Sequence, residues 1–141
     1  MRAVPDNNVW LGAIISSGGA HQILLRAEVG QFTAVTSNPI LHELIAVLRT
    51  DLARDDEFAY EWWKRLTASC QVIRVTSLLN VIERDFDDNR LIECALDGHC
   101  DYIVSQDLDL LDLGSYARIQ IVKVGRFLRL LETLTSPPSS P

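Results

Sequence analysis

Apolar positions along this chain switch between a period of two and a period near 3.6, and each switch marks an expected element. Arg2 to Pro5 reads as a short strand that stops at Asp6. A helical stretch from about Asn8 to Ile15 follows, then the breaker Ser16-Ser17-Gly18-Gly19. Ala20 to Glu28 resumes the helical pattern through Ile23, Leu24 and Ala27, with Gly30 placed to cap it. Phe32 to Thr36 alternates and predicts a second strand. Asn38-Pro39 is a helix start, and the helix runs to about Arg49 with Leu41, Leu44, Ile45 and Leu48 on one face. Asp55 to Thr67 predicts another helix, carrying the adjacent Trp62 and Trp63. Val72 to Val75 reads as a strand, and Leu78 to Asp87 mostly as connection. From Asp88 to Asp97 the period is helical, with Leu91, Ile92, Ala95 and Leu96 inward and Gly98 as the stop. Tyr102 to Val104 and Ile119 to Val122 predict strands, and Gly125 to Leu134 a last helix.

Strands alternating with helices predict an α/β fold, with helices layered on a mainly parallel central sheet. In such sheets ligands collect at the carboxyl ends of the strands. Four acids stand where that edge is expected. Asp6 directly follows the first strand, Asp107 follows the Tyr102–Val104 strand by three residues, and Glu43 and Asp88 lie in early helical turns. Asp88 shares a helix face with Leu91, Ile92 and Ala95, so the face that packs inward also aims Asp88 at the rim.

At 141 residues the chain fits one domain, expected over residues 1–134, with a disordered Pro/Ser tail at 135–141. The apolar fraction of 48% is too high for a disordered chain. The longest apolar run, Val9 to Ile15, is far short of a membrane span. No secretory leader is expected after Met1-Arg2, so cytoplasmic residence is the default. Three cysteines, Cys70, Cys94 and Cys100, are odd in number and lack C-x-x-C spacing, which argues against a disulfide framework or zinc knuckle. Cys94 lies in the helical pattern as a small buried hydrophobe. The net charge of −6 argues against a protein that coats nucleic acid nonspecifically.

Carboxylates gathered at one place raise each other's pKa, and a divalent cation relieves the repulsion. Clustered oxygen donors suit Mg²⁺ or Mn²⁺, so the four acids point to metal-assisted hydrolysis. Taken singly, each acid also has a structural explanation. Asp6 could cap a helix, Asp88 could favour a helix dipole, Glu43 could be solvated, and Asp107 and Asp109 could be turn residues. Their shared order and placement favour the common site.

Four motifs then carry a resemblance. They are Asp6-Asn7-Asn8-Val9 after the first strand, Ser37 to Glu43, Asp85-Phe86-Asp87-Asp88-Asn89 through Ala95, and Cys100-Asp101-Tyr102-Ile103-Val104-Ser105-Gln106-Asp107-Leu108-Asp109-Leu110-Leu111. In this order and spacing, from Arg2 to about Leu134, the chain resembles the PIN-domain nucleases, in particular the toxin-like (VapC-like) PIN proteins of prokaryotic toxin–antitoxin systems. The resemblance implies a three-layer α/β/α PIN-like fold and a Mg²⁺- or Mn²⁺-dependent endoribonuclease. It implies Asp6, Glu43, Asp88 and Asp107 as catalytic metal-site acids, with Asp109 as a candidate fifth. Asn8 orients or binds near Asp6, and Ser105 replaces the usual Thr that hydrogen-bonds within the site. Asp6 and Asp107 are the expected direct ligands, while Glu43 and Asp88 bind a second ion or hold its water. RNA is the implied substrate, a small antitoxin the implied partner, and a homodimer or higher oligomer the expected assembly.

The chain departs from the family pattern at Pro5, Asn7, Gln106 and Gly125. Pro5 removes an amide donor beside Asp6. With Asn7 and the acidic charge, it motivates a second reading: a catalytically weak PIN module that binds RNA or protein. A third is another α/β metal phosphohydrolase acting on small phosphate esters. Asn8, standing where a second nucleophilic Asp would be needed, argues against an aspartyl-phosphate mechanism. His21, His42 and His99 show no metal-ligand spacing. Of the Trp62-Trp63 pair, one ring is expected in the core and the other at an interface. Arg49, Lys64, Arg65, Arg84 and Arg90 are candidate phosphate contacts, with solvated surface as their ordinary explanation.

Overall fold

The computed structural model describes residues 1–79 and 86–135. The chain runs β1 (Arg2–Pro5), α1 (Asn7–Ile15), α2 (Gly19–Glu28), β2 (Thr33–Ser37), α3 (Asn38–Thr50), α4 (Asp56–Ser69), β3 (Cys70–Ile73), α5 (Phe86–Asp97), β4 (Tyr102–Val104), α6 (Leu108–Leu113), β5 (Ser115–Tyr116), β6 (Ile119–Val122) and α7 (Val124–Thr135). The strands form one sheet in the order β3-β2-β1-β4-β6-β5. All its pairs are parallel except β5 with β6.

Alternation along each strand divides the interior into two cores. Ala3, Ala34, Val104 and Val122 face a cluster with Trp10, Leu24, Leu41, Leu44, Leu66 and Phe127, which brings α1, α2, α3, α4 and α7 onto one side. Val4, Val35, Ile103 and Ile121 face the other way, against Leu91, Ile92 and Ala95 of α5 and Leu110 of α6. The result is the expected three-layer α/β/α arrangement with a mainly parallel sheet.

Strand order sets the location of the site. β2 and β3 lie on one side of β1, and β4, β6 and β5 on the other. The winding therefore reverses between β1 and β4, which opens a crevice at their carboxyl ends. Pro5 ends β1 within this crevice. The β1–β4 ladder extends to Pro5↔Val104, whereas the β1–β2 ladder stops at Ala3↔Ala34. Asp6 N–H then donates to the Val104 carbonyl at 2.8 Å, so the ladder passes beyond the proline and Asp6 keeps its place beside Ser105.

Three expectations need revision. The third strand is Cys70–Ile73 rather than Val72–Val75. As the edge strand it takes its register from the backbone of β2, Ala34↔Cys70 to Ser37↔Ile73, and not from its apolar residues. Helix α6 and the two-residue β5 go beyond what the apolar pattern predicts. Neither Trp62 nor Trp63 is fully in the core, since both are partly buried against it. The Arg65 guanidinium lies 5.0 Å from the Trp62 ring centre, and His42 stacks on Trp63 with ring centres 5.7 Å apart. Residues 80–85 of the expected connection and 136–141 of the expected tail lie outside the described residues.

Gly98 follows α5 where the chain lies close against Val35 of β2 and Ile73 of β3. A Cβ there would stand 2.8 Å from the Cys94 carbonyl oxygen, 2.9 Å from Val35 Cγ1 and 3.1 Å from Ile73 Cδ1. Gly98→Ala is expected to lower stability by about 1–3 kcal/mol through overpacking. Urea unfolding checks this: the midpoint falls while the slope stays unchanged.

Candidate active site

Asp6 occupies the N-cap position of α1, and its carbonyl accepts from Val9 N–H at 2.9 Å and Trp10 N–H at 3.1 Å. Its side chain makes no capping bond. The carboxylate instead accepts the Ser105 hydroxyl at Oδ2, 2.7 Å away. Ser105 Oγ in turn accepts Asp107 N–H at 2.9 Å. Fully buried Ser105 thus ties the end of β1 to the loop after β4. Asn8 adds a longer link, its Oδ1 receiving Gln106 N–H at 3.4 Å.

Asp107 caps α6, and its Oδ1 accepts from Asp109 N–H at 2.8 Å and Leu110 N–H at 3.3 Å. This cap turns Asp109 back toward the rim. One carboxylate oxygen from each of Asp88, Asp107 and Asp109 lies within 4.8 Å of the other two. Asp88 is buried, Asp107 partly so and Asp109 exposed. Asp88 also lines a cleft of about 50 Å³ with Asp6, Asn7, Ile40, Glu43 and Leu91. That volume admits one or two waters. All five expected acids therefore gather on the carboxyl edge in two overlapping groups that share Asp88. Asp6 and Asp107, the expected direct ligands, fall in different groups but are linked through Ser105, which joins the Asp6 carboxylate to the Asp107 amide.

Burial pushes the Asp6 carboxyl above its ordinary value, and the nearby Asp107 charge adds to the shift. The Ser105 hydroxyl and the N–H groups of Asn7 and Asn8 oppose it. Among the described residues the donor set is carboxylate oxygen, which suits a hard divalent ion. Asn7 adds to it. Its Nδ2 donates to the Ile40 carbonyl at 2.9 Å, while its buried Oδ1 has no hydrogen-bond partner in the cleft wall. In the sequence Asn7 stands out only as a departure from the family pattern, although the Asp-Asn-Asn run held the signal.

Glu93 is a buried acid that the sequence does not single out. It belongs to structure rather than to the site: it pairs with Arg90 and accepts Leu79 N–H at 2.7 Å. The thiols of Cys70, Cys94 and Cys100 are each pushed up to about 12 by burial, which fits packing rather than metal binding. His21 Nδ1 contacts the Ala13 carbonyl at 2.9 Å, and His42 stacks on Trp63.

A family model of the PIN domain matches residues 2–109. Among solved structures, a chain from the crystal structure of VapBC2 of Rickettsia felis, bound to a DNA fragment from their promoter, is similar with a TM-score of 0.63. The match covers 87% of this chain and 98% of that one at 13% identity, so the likeness concerns the fold. No curated protein sequence matches the chain.

The raised Asp6 pKa has a definite consequence for stability. Between its ordinary value of 3.8 and the raised folded value, the native state binds more protons than the unfolded chain, so stability falls as pH rises through that window. Asp6→Asn removes this penalty. In chelator at neutral pH the variant is expected to melt no lower than the wild type, and any advantage should shrink as pH falls below that window. Thermal unfolding across pH measures both, and a clearly lower melting temperature for the variant at neutral pH would contradict the burial account.

Proposed function

The chain belongs to the PIN domain family, and on that premise we propose that it is a metal-dependent endoribonuclease that hydrolyses RNA phosphodiester bonds. The observation that carries this reading is the convergence of Asp6, Glu43, Asp88, Asp107 and Asp109 on one edge of the sheet. Asp88, Asp107 and Asp109 hold a Mg²⁺ or Mn²⁺ ion, and Asp6 and Glu43 complete the site across the cleft. Such an ion lowers the pKa of an attacking water and offsets charge developing on the phosphate. Ser105 fixes the orientation of the Asp6 carboxylate through its hydroxyl. Asp107 fixes its own through the cap on α6. Asn8 steadies the loop between them.

The biological role we propose is that of the toxin of a type II toxin–antitoxin pair, acting in the cytoplasm. The fold likeness to the VapBC2 chain supports it. Among the described residues no helix is long and apolar enough to cross a membrane. A groove of about 510 Å³ between α3 and α4, lined by Ile45, Ala46, Ala59, Tyr60 and Trp63 among others, offers an apolar surface to an antitoxin segment or a second copy of the chain.

Asp107→Asn and Glu43→Gln are expected to cut cleavage of labelled RNAs roughly a hundredfold or more, the scale of several kcal/mol of charge stabilisation. Chelation should abolish cleavage in the wild type, and products should carry 5′-phosphate and 3′-hydroxyl ends. Unchanged cleavage by Asp107→Asn would sink the assignment. Metal binding without turnover would instead identify a binding module, and hydrolysis of a chromogenic monoester but not RNA would identify a different phosphohydrolase.

A further inference from the structure

Of the five cations that the sequence nominates as phosphate contacts, the four among the described residues are already engaged. Arg49 pairs with Asp56 at 2.9 Å, Lys64 with Glu61 at 3.1 Å, and Arg65 with both oxygens of Glu28 at 2.9 Å. Arg90 pairs with Glu93. Arg84 lies outside the described residues. A different set begins at the carboxyl end of β6, the strand next to β4, and continues into α7. Lys123, Arg126 and Arg129 are all exposed, and among the described residues none of them forms an ion pair.

Their placement follows from the sheet. Val122 of β6 registers with Val104 of β4, and Ser105 N–H donates to the Val122 carbonyl at 3.0 Å. Lys123 is thus the next residue along from the strand pair that carries Ser105 and leads to Asp107. Ile119 and Ile121 face the α5–α6 side, so alternation puts Lys123 on the side where α6 carries Asp109. Helix α7 starts at once, burying Val124, Phe127 and Leu131. That leaves Arg126 and Arg129, one helical turn apart, on its outer surface. The first turn of α7 contains no acid to compete with a ligand anion.

A chain of net charge −6 repels a polyanion at long range. Screening confines electrostatics to about 8–10 Å at moderate salt, so local cations decide where a strand can lie. We propose that Lys123, Arg126 and Arg129 form a phosphate track that holds the RNA backbone as it leaves the acidic site and runs along α7. This rests on the ribonuclease reading above and deepens it by assigning the strand's path. Contacts of this kind position the strand without reading its sequence.

The test uses two unrelated labelled single-stranded RNAs with the wild type, Lys123→Ala/Arg126→Ala, Arg126→Glu, and the conservative Lys123→Arg/Arg126→Lys. Cleavage is followed in Mg²⁺ or Mn²⁺, and binding in chelator over a salt series. The double alanine variant should raise KM roughly tenfold, about 1.4 kcal/mol, with kcat within about twofold. Its log–log salt slope should shrink by about 0.7 for each phosphate left without its cation, equally for both RNAs. Arg126→Glu should weaken binding further, and the conservative pair should restore it. Wild-type cleavage with KM and salt slope unchanged in the variants overturns the track and leaves the nuclease reading intact. A fall in kcat at constant KM also overturns it. A wild type that neither binds nor cleaves RNA overturns the nuclease reading and the track together.

Discussion

Parallel pairing of β1 with β4 is the constraint on which the rest of the site depends. Asp6 N–H reaches the Val104 carbonyl one residue past Pro5, and this single bond sets Asp6 opposite Ser105. From there the Ser105 hydroxyl joins Asp6 to the amide of Asp107, and Asp107 nucleates α6. Helix α6 then returns Asp109 to the rim. A one-residue slip between β1 and β4 would put Val4 and Ile103, which belong to one core, on opposite faces, so burial on both sides of the sheet holds the carboxylates in register.

Like charges held this closely oppose folding, and the sheet tolerates them because the packing lies elsewhere. The two cores are closed by α3, α5 and α7 below the rim, through residues such as Leu44, Ile92 and Phe127, all fully buried. Apart from Glu43 in the second turn of α3, the acids stand at element starts, where unsatisfied backbone N–H groups favour anions. Asp6 follows β1 and precedes α1, Asp88 lies in the first turn of α5, and Asp107 caps α6. Stability and chemistry are thereby separated within one fold.

Much of this was legible in the sequence because it depends on local signals. Asp6 and Asp107 follow runs with clear strand character, and Asn38-Pro39 marks the helix that carries Glu43. What escaped depends on partners distant in the chain. The six-residue α6 is too short to show a period, and its end rests on Gly114 with φ +75°. Asp109 is nominated as a candidate fifth acid, but the cap that brings it beside Asp88 and Asp107 depends on α6. Strand β3 was displaced because the backbone of β2, not its own apolar residues, decides where it pairs. The pairing of the basic residues escaped for the same reason: whether an arginine meets a carboxylate 37 positions away, as Arg65 meets Glu28, is a property of packing.

The three cysteines have a consequence beyond packing. A thiol whose pKa is pushed up to about 12 holds almost no thiolate near neutrality, and thiolate is the form that reacts with peroxides and disulfides. Cys94 and Cys100 are also closed off from solvent. An oxidant in solution must reach a sulfur to react with it, so Cys94 and Cys100 are shielded by the same packing that makes them part of the core.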